Sequence, residues 1–78
     1  MSRDGYSGAG QSILESIWDE LDERMDRLMP TKPGSAKLAL QGECLGLAVA
    51  IAIILNPYKP DMDGVRSEAV ERWRNRNG

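Results

Sequence analysis

The sequence predicts an all-α chain of three helices, a long amphipathic helix, a buried Gly/Ala-rich helix and a short C-terminal helix, associating as a helical-bundle homo-oligomer. Two observations carry this. Residues 38–55 form one apolar run, whose last twelve residues have no polar side chain except the Cys44 thiol. Upstream, Leu14, Trp18, Leu21, Met25 and Leu28 recur at spacings of four, three, four and three, the signature of a helix with one apolar face.

Residues 1–10 are polar and carry Gly5, Gly8 and Gly10, so they are expected to be a flexible N-terminal tail ahead of a single helical domain at 11–78. Ser12 followed by Glu15 reads as a capping box and sets the expected start of the first helix, over about 12–29. Ile13 and Ile17 widen its apolar stripe, and Glu20 with Arg24 and Glu23 with Arg27 are spaced to pair on its outer side. Pro30 stops it, and Ser35 is the expected cap of the next helix after a short loop.

The central run is too long for an ordinary strand. Its alanines, leucines and the stop at Asn56-Pro57 predict a helix over about 36–55. Placed at 100° per residue, Ala39, Gly42, Gly46 and Ala50 share one seam, and Gln41, Cys44, Ala48 and Ala52 lie near a second. Leu40, Leu47, Ile51 and Ile54 form one ridge between them, and Leu38, Leu45 and Val49 form the other. A helix apolar on nearly every side must be covered on nearly every side. Small residues four apart let a second backbone approach closely, so Gly42, Gly46 and Ala50 with Leu47, Ile51 and Ile54 are the expected self-association surface. The same glycines and alanines also suit a crowded intramolecular core.

After the turn at residues 56–60, Asp61 reads as the cap of a third helix over about 61–75. Met62, Val65, Ala69, Val70 and Trp73 mark its inner face, and Glu68 is spaced to pair with Arg72 on the outside.

With 78 residues, no Phe, no His and one Cys, the chain can bury only a thin core, and neither disulfides nor a visible metal cage supplement it. Association is the remaining source of stability. A net charge of −2 does not announce nucleic acid or an anionic membrane. The start, Met-Ser-Arg-Asp-Gly-Tyr, reads as neither a signal nor a transit peptide, and the lone cysteine fits a reducing cytoplasm.

No residue set predicts catalysis, a cofactor or a metal. Cys44 has no histidine to act as its base and reads as a small core residue, while Glu43 at the mouth of the central helix is expected to face solvent or an arginine. Asp61, Asp63 and Gly64 begin like a calcium loop, but position twelve of that pattern is Arg72, so helix capping is the better reading.

Charge distribution points instead to a protein partner. Glu15, Asp19, Asp22 and Asp26 form an acidic face on the first helix, and Arg72, Trp73 and Arg76 crowd the third. Two alternatives remain open. Residues 38–55 would be about 27 Å long, the thickness of a bilayer core, and the C-terminal arginines with Trp73 could contact nucleic acid.

The wording from Gly42 through Asn56-Pro57-Tyr58-Lys59-Pro60-Asp61 to Val65-Arg66-Ser67-Glu68-Ala69-Val70-Glu71-Arg72 resembles small uncharacterised proteins encoded by bacteriophages of actinobacteria. The resemblance covers under half of the chain. It implies an accessory protein made in a bacterial host cytoplasm, acting on a host or phage macromolecule, and assigns no residue a role.

Overall fold

The computed structural model describes the backbone of residues 2–78 and the side chains of residues 12–78. It contains three helices, α1 (Ser2–Leu28), α2 (Ser35–Leu55) and α3 (Met62–Asn77), all three in mutual contact. The all-α expectation holds. The helix starts before Ser12, so Ser12 is an interior residue of α1 and not its cap. Extending a nucleated helix by one residue costs far less than starting one, so a capping-box sequence need not be used. The side chains at 1–11, and with them the mobility expected of residues 1–10, lie outside the described residues.

Short-range chemistry fixes the two turns. Past Leu28, the Met29 N–H reaches the Met25 carbonyl, the Thr31 N–H reaches Leu28, and Pro30 between them cannot continue the ladder. Gly34 then stands at the N-cap of α2 with φ 154°, a backbone region open essentially to glycine alone. Ser35, the expected cap, is instead the first helical residue, because the sharp entry is made by the residue that can adopt it. Gly34→Ala is therefore expected to lower stability by about 1–3 kcal/mol through strain alone, since nothing lies within 4 Å of an added Cβ. A denaturant midpoint equal to that of the parent chain would refute this.

At the other end of α2, the Asn56 carboxamide oxygen accepts from the Tyr58 N–H (3.3 Å) and the Lys59 N–H (3.2 Å), folding the Asn-Pro-Tyr-Lys-Pro segment into a side-chain-capped turn. Asp61 caps α3 as expected, accepting from the Gly64 N–H at 2.9 Å. Gly64 leaves room for that carboxylate, which a Cβ at 64 would push aside.

The core is small. Leu21 and Met25 from α1, Cys44, Ala48, Ile51 and Ala52 from α2, and Val65 and Ala69 from α3 make up its buried cluster. Leu14, Ile17, Trp18, Leu28, Leu47, Met62, Val70 and Trp73 pack around it half-buried. The helices converge on the second small-residue seam of α2, where Cys44, Ala48 and Ala52 let α1 and α3 sit close.

Candidate functional site

Burial of α2 is one-sided. The seam of Ala39, Gly42 and Gly46 lies on the outer surface, and nothing stands within 4 Å of a Cβ built on either glycine. Around it Leu38 is 68% exposed, Leu45 52%, and Val49, Ile53, Ile54 and Leu55 are also open to solvent. Of the most apolar 18-residue window of this helix, 22% is buried. A few hundred Å² is the largest apolar patch that monomers ordinarily show, and such patches mark interaction surfaces.

The expected self-association set divides in two. Gly42, Gly46 and Ile54 are exposed, whereas Leu47 and Ala50 are half-buried and Ile51 is fully buried at the centre of the chain's own core. The ridge beside the outer glycines is thus the one formed by Leu38, Leu45 and Val49, extended by Ile53, and not the one containing Leu47 and Ile51. A helix apolar on all sides carries no periodic signal to say which ridge turns inward; the positions of α1 and α3 decide it.

The charged faces of α1 and α3 meet each other. Arg72 donates to Asp22 through two nitrogens, Nε to Oδ1 at 3.0 Å and Nη2 to Oδ2 at 2.7 Å. Arg76 places Nη1 2.9 Å from Asp22 Oδ1 and donates Nη2 to Asp26 Oδ1 at 2.9 Å. The Arg72 guanidinium also lies 4.6 Å from the centre of the Trp18 ring. The expected Glu68–Arg72 pair is replaced by this arrangement. An exposed pair at i,i+4 contributes a few tenths of a kcal/mol, while a two-pronged bond to a carboxylate only 16% exposed, with an aromatic ring beneath the cation, contributes more. On the remaining surface, the Glu20–Arg24 (3.2 Å) and Glu23–Arg27 (3.0 Å) pairs form as expected. Arg24 Nε also donates to Glu43 at 3.1 Å, tying α1 to α2.

Of the seven residues expected to meet a protein partner, Asp22, Asp26, Arg72 and Arg76 therefore bind one another, and Trp73 packs half-buried against the core. Glu15 and Asp19 stay exposed on α1. The same pairing draws Arg72 and Arg76 away from the nucleic-acid contact considered for α3.

Burial pushes the Asp22 carboxyl up, but the hydrogen bonds and charge of Arg72, then those of Arg76, outweigh it and hold the group below the ordinary carboxylate value. A depressed folded-state value means that the stability Asp22 contributes is complete above about pH 4, the unfolded carboxylate range, and drains away as pH falls through the folded value. Asp22→Asn is expected to cost roughly 1.5–3 kcal/mol at pH 7 and to flatten the acid limb of the stability curve. Arg74→Ala, at an exposed side chain 3.9 Å from Glu71, is expected to change stability by less than about 0.5 kcal/mol. Equal denaturant midpoints for the two variants would contradict this role of the Asp22–Arg72 pair.

Burial, then the charge of Glu43, pushes the Cys44 thiol up, which suits a core residue better than a nucleophile. A cleft of about 430 Å³ between the helices adjoins the outer face at Leu45; Met25, Leu28, Cys44 and Val70 line it, and Arg66 is its one charged side chain. Among the described residues, no group of three His, Cys, Asp or Glu side chains is placed to hold a metal ion.

What the molecule presents is a small helical fold with one unpartnered apolar helix face. No protein-family model, no curated protein and no solved structure matches the chain.

Proposed function

We propose that the chain is a non-enzymatic helical interaction protein that self-associates through the outer face of α2 and, as a phage accessory protein in a bacterial host cytoplasm, serves by binding a protein partner. One observation carries the reading. The most apolar helix is covered on one side only, with Gly42 and Gly46 bare at the middle of the open side. Covering that face with protein removes apolar surface from water at about 25 cal/mol per Å² and adds the stability that a thin core lacks. Glu15 and Asp19 are the acidic side chains left over for a further partner.

Self-association makes the melting temperature rise with protein concentration. Thermal melts over a hundredfold dilution series test this, and a concentration-independent midpoint would sink the proposal.

The exposed face also supports a second reading, a membrane span, since α2 is long and apolar enough to cross a bilayer. That reading asks α1 and α3 to leave α2. In the folded chain, the Arg24–Glu43 pair joins α1 to α2, and the Asp22–Arg72 pair lies one residue from the core residue Leu21. Separating the helices breaks these pairs and leaves Glu43 on the spanning helix, where an acidic side chain costs up to about 2.5–3.5 kcal/mol even on the most lenient scale. Recovery of the protein in the soluble fraction without detergent argues for the first reading, and recovery only in membranes for the second.

A further inference from the structure

We propose that the cleft between the three helices is a binding site for an anionic amphiphile, a free alkyl carboxylate of about ten to twelve carbons. The cleft measures about 430 Å³, within the usual range for small-molecule sites, and every helix contributes to its wall. Leu21, Met25 and Leu28 come from α1, Leu45 and Ala48 from α2, and Val70 from α3. Arg72 and Arg76 tie α3 to Asp22 and Asp26 of α1, and opposite α2 the small Ala48 and Ala69 leave the space unfilled. A water takes about 30 Å³ and a methylene group roughly as much, so the cleft holds on the order of fourteen such groups. That is the bulk of a saturated chain of about ten to twelve carbons with its carboxylate.

Charge selects the head group. Arg66 is the one charged side chain on the lining, and no acid borders the space. Arg24, Arg27, Arg72, Arg74 and Arg76 each have a carboxylate oxygen within 4 Å, whereas Arg66 has none among the described residues. Asp63 and Glu71 share the outer surface of α3 with Arg66, and neither is paired with it. A guanidinium beside an apolar wall offers a carboxylate two parallel N–H donors while the wall takes the chain. Met25 and Met29 supply the adaptable part of that wall, since an unbranched thioether re-packs around chains of differing length.

The cleft is formed within one chain, so it stands apart from the self-association proposed for the outer stripe of α2. Of that stripe, Leu38, Leu45, Val49 and Ile53, only Leu45 reaches the cleft. For a ligand of about twelve non-hydrogen atoms at ordinary ligand efficiency, the expected dissociation constant lies between about 0.05 and 1 mM.

The test is a titration of the full chain with sodium decanoate, followed by NMR of the methionine methyl groups. Met25 and Met29 line the cleft, whereas Met62 packs elsewhere against the core and is the internal control. Saturable shifts at Met25 and Met29, with Met62 unmoved, are expected. Arg66 is exposed, so Arg66→Gln should keep the helical far-UV spectrum and weaken decanoate binding about tenfold. On the unaltered chain, decylammonium, of the same length and opposite charge, should bind at least about tenfold more weakly than decanoate. Butyrate, shorter by six methylenes, should bind about fiftyfold or more weakly. Equal binding of decanoate and decylammonium would overturn the carboxylate assignment, as would undiminished binding to Arg66→Gln. Saturation that moves Met62 and leaves Met25 and Met29 in place would overturn the location. No saturable shift up to about 10 mM decanoate, ten times the weaker affinity expected, would overturn the site itself. So would shifts produced by phosphatidylglycerol vesicles and not by decanoate, with a lipid surface then identified as the occupant.

Discussion

Replacing Gly46 with leucine is expected to leave the three helices intact and to break the protein into 8.6-kDa monomers. Within one chain the substitution is harmless. A Cβ at 46 meets nothing within 4 Å, and leucine is a better helix former than glycine by roughly half a kcal/mol or more, so the isolated chain gains helix stability. Across the proposed self-association interface, if two-fold, the same change acts twice. Each new side chain occupies the space meant for a neighbour's, at about 1–3 kcal/mol of overpacking per site, or about 2–6 kcal/mol for the pair. At 1.4 kcal/mol per factor of ten, the dimer weakens by about 30-fold or more. Sedimentation equilibrium together with far-UV circular dichroism reads both halves. Monomers with undiminished helix are the expected pair of results, and a variant that still associates as the parent does would place the glycine seam outside any interface.

The second large effect belongs to the fold. Ile51 is 0% exposed and lies where the three helices meet, among Leu21, Cys44, Ala48, Val65 and Ala69. Ile51→Ala is expected to lose about 2–5 kcal/mol, the transfer energy of three carbons plus the cavity they leave. A chain of this length has only about 4–12 kcal/mol of net stability, so the loss is a large share of the whole. At about 4–8 °C per kcal/mol the midpoint of thermal unfolding should fall by at least roughly 8 °C. Ile53→Ala is the matched control. Its side chain is about half exposed on the outer stripe, so in the dissociated chain it should cost under about 1 kcal/mol while weakening the dimer. If the two variants melt alike under dissociating conditions, the assignment of inner and outer faces on α2 is wrong.

The contrast between Ile51 and Ile53 also marks how far the sequence could be read. Helix type and most boundaries followed from local chemistry. Pro30 follows the end of α1, Asn56-Pro57 ends α2, and Asp61 caps α3 with the bond to Gly64 that its spacing implies. Both i,i+4 pairs on α1 formed for the same reason, since each involves residues one turn apart.

Choices that depend on a distant partner were not legible. The two ridges of α2 are equally apolar, and only the convergence of α1 and α3 on Cys44, Ala48 and Ala52 turns Ile51 inward and Val49 outward. Arg72 illustrates the same limit among charges. Its sequence neighbour Glu68 is the obvious partner, yet the third helix lies against the first, and Asp22, fifty positions away, combines a two-pronged bond with the Trp18 ring. The acidic face of α1 and the basic face of α3 therefore looked like surfaces for another molecule and serve largely to hold the two helices together. Glu15 and Asp19 on one side, and the stripe of α2 on the other, stay exposed.

The measurement that bears most directly on the proposed self-association through α2 is light scattering coupled to size-exclusion chromatography, on protein prepared without detergent. A mass near twice 8.6 kDa is the expected result. A compact particle of 8.6 kDa at every loading concentration would contradict it, and would mean that the chain keeps Leu38, Leu45, Val49 and Ile53 in water unaided.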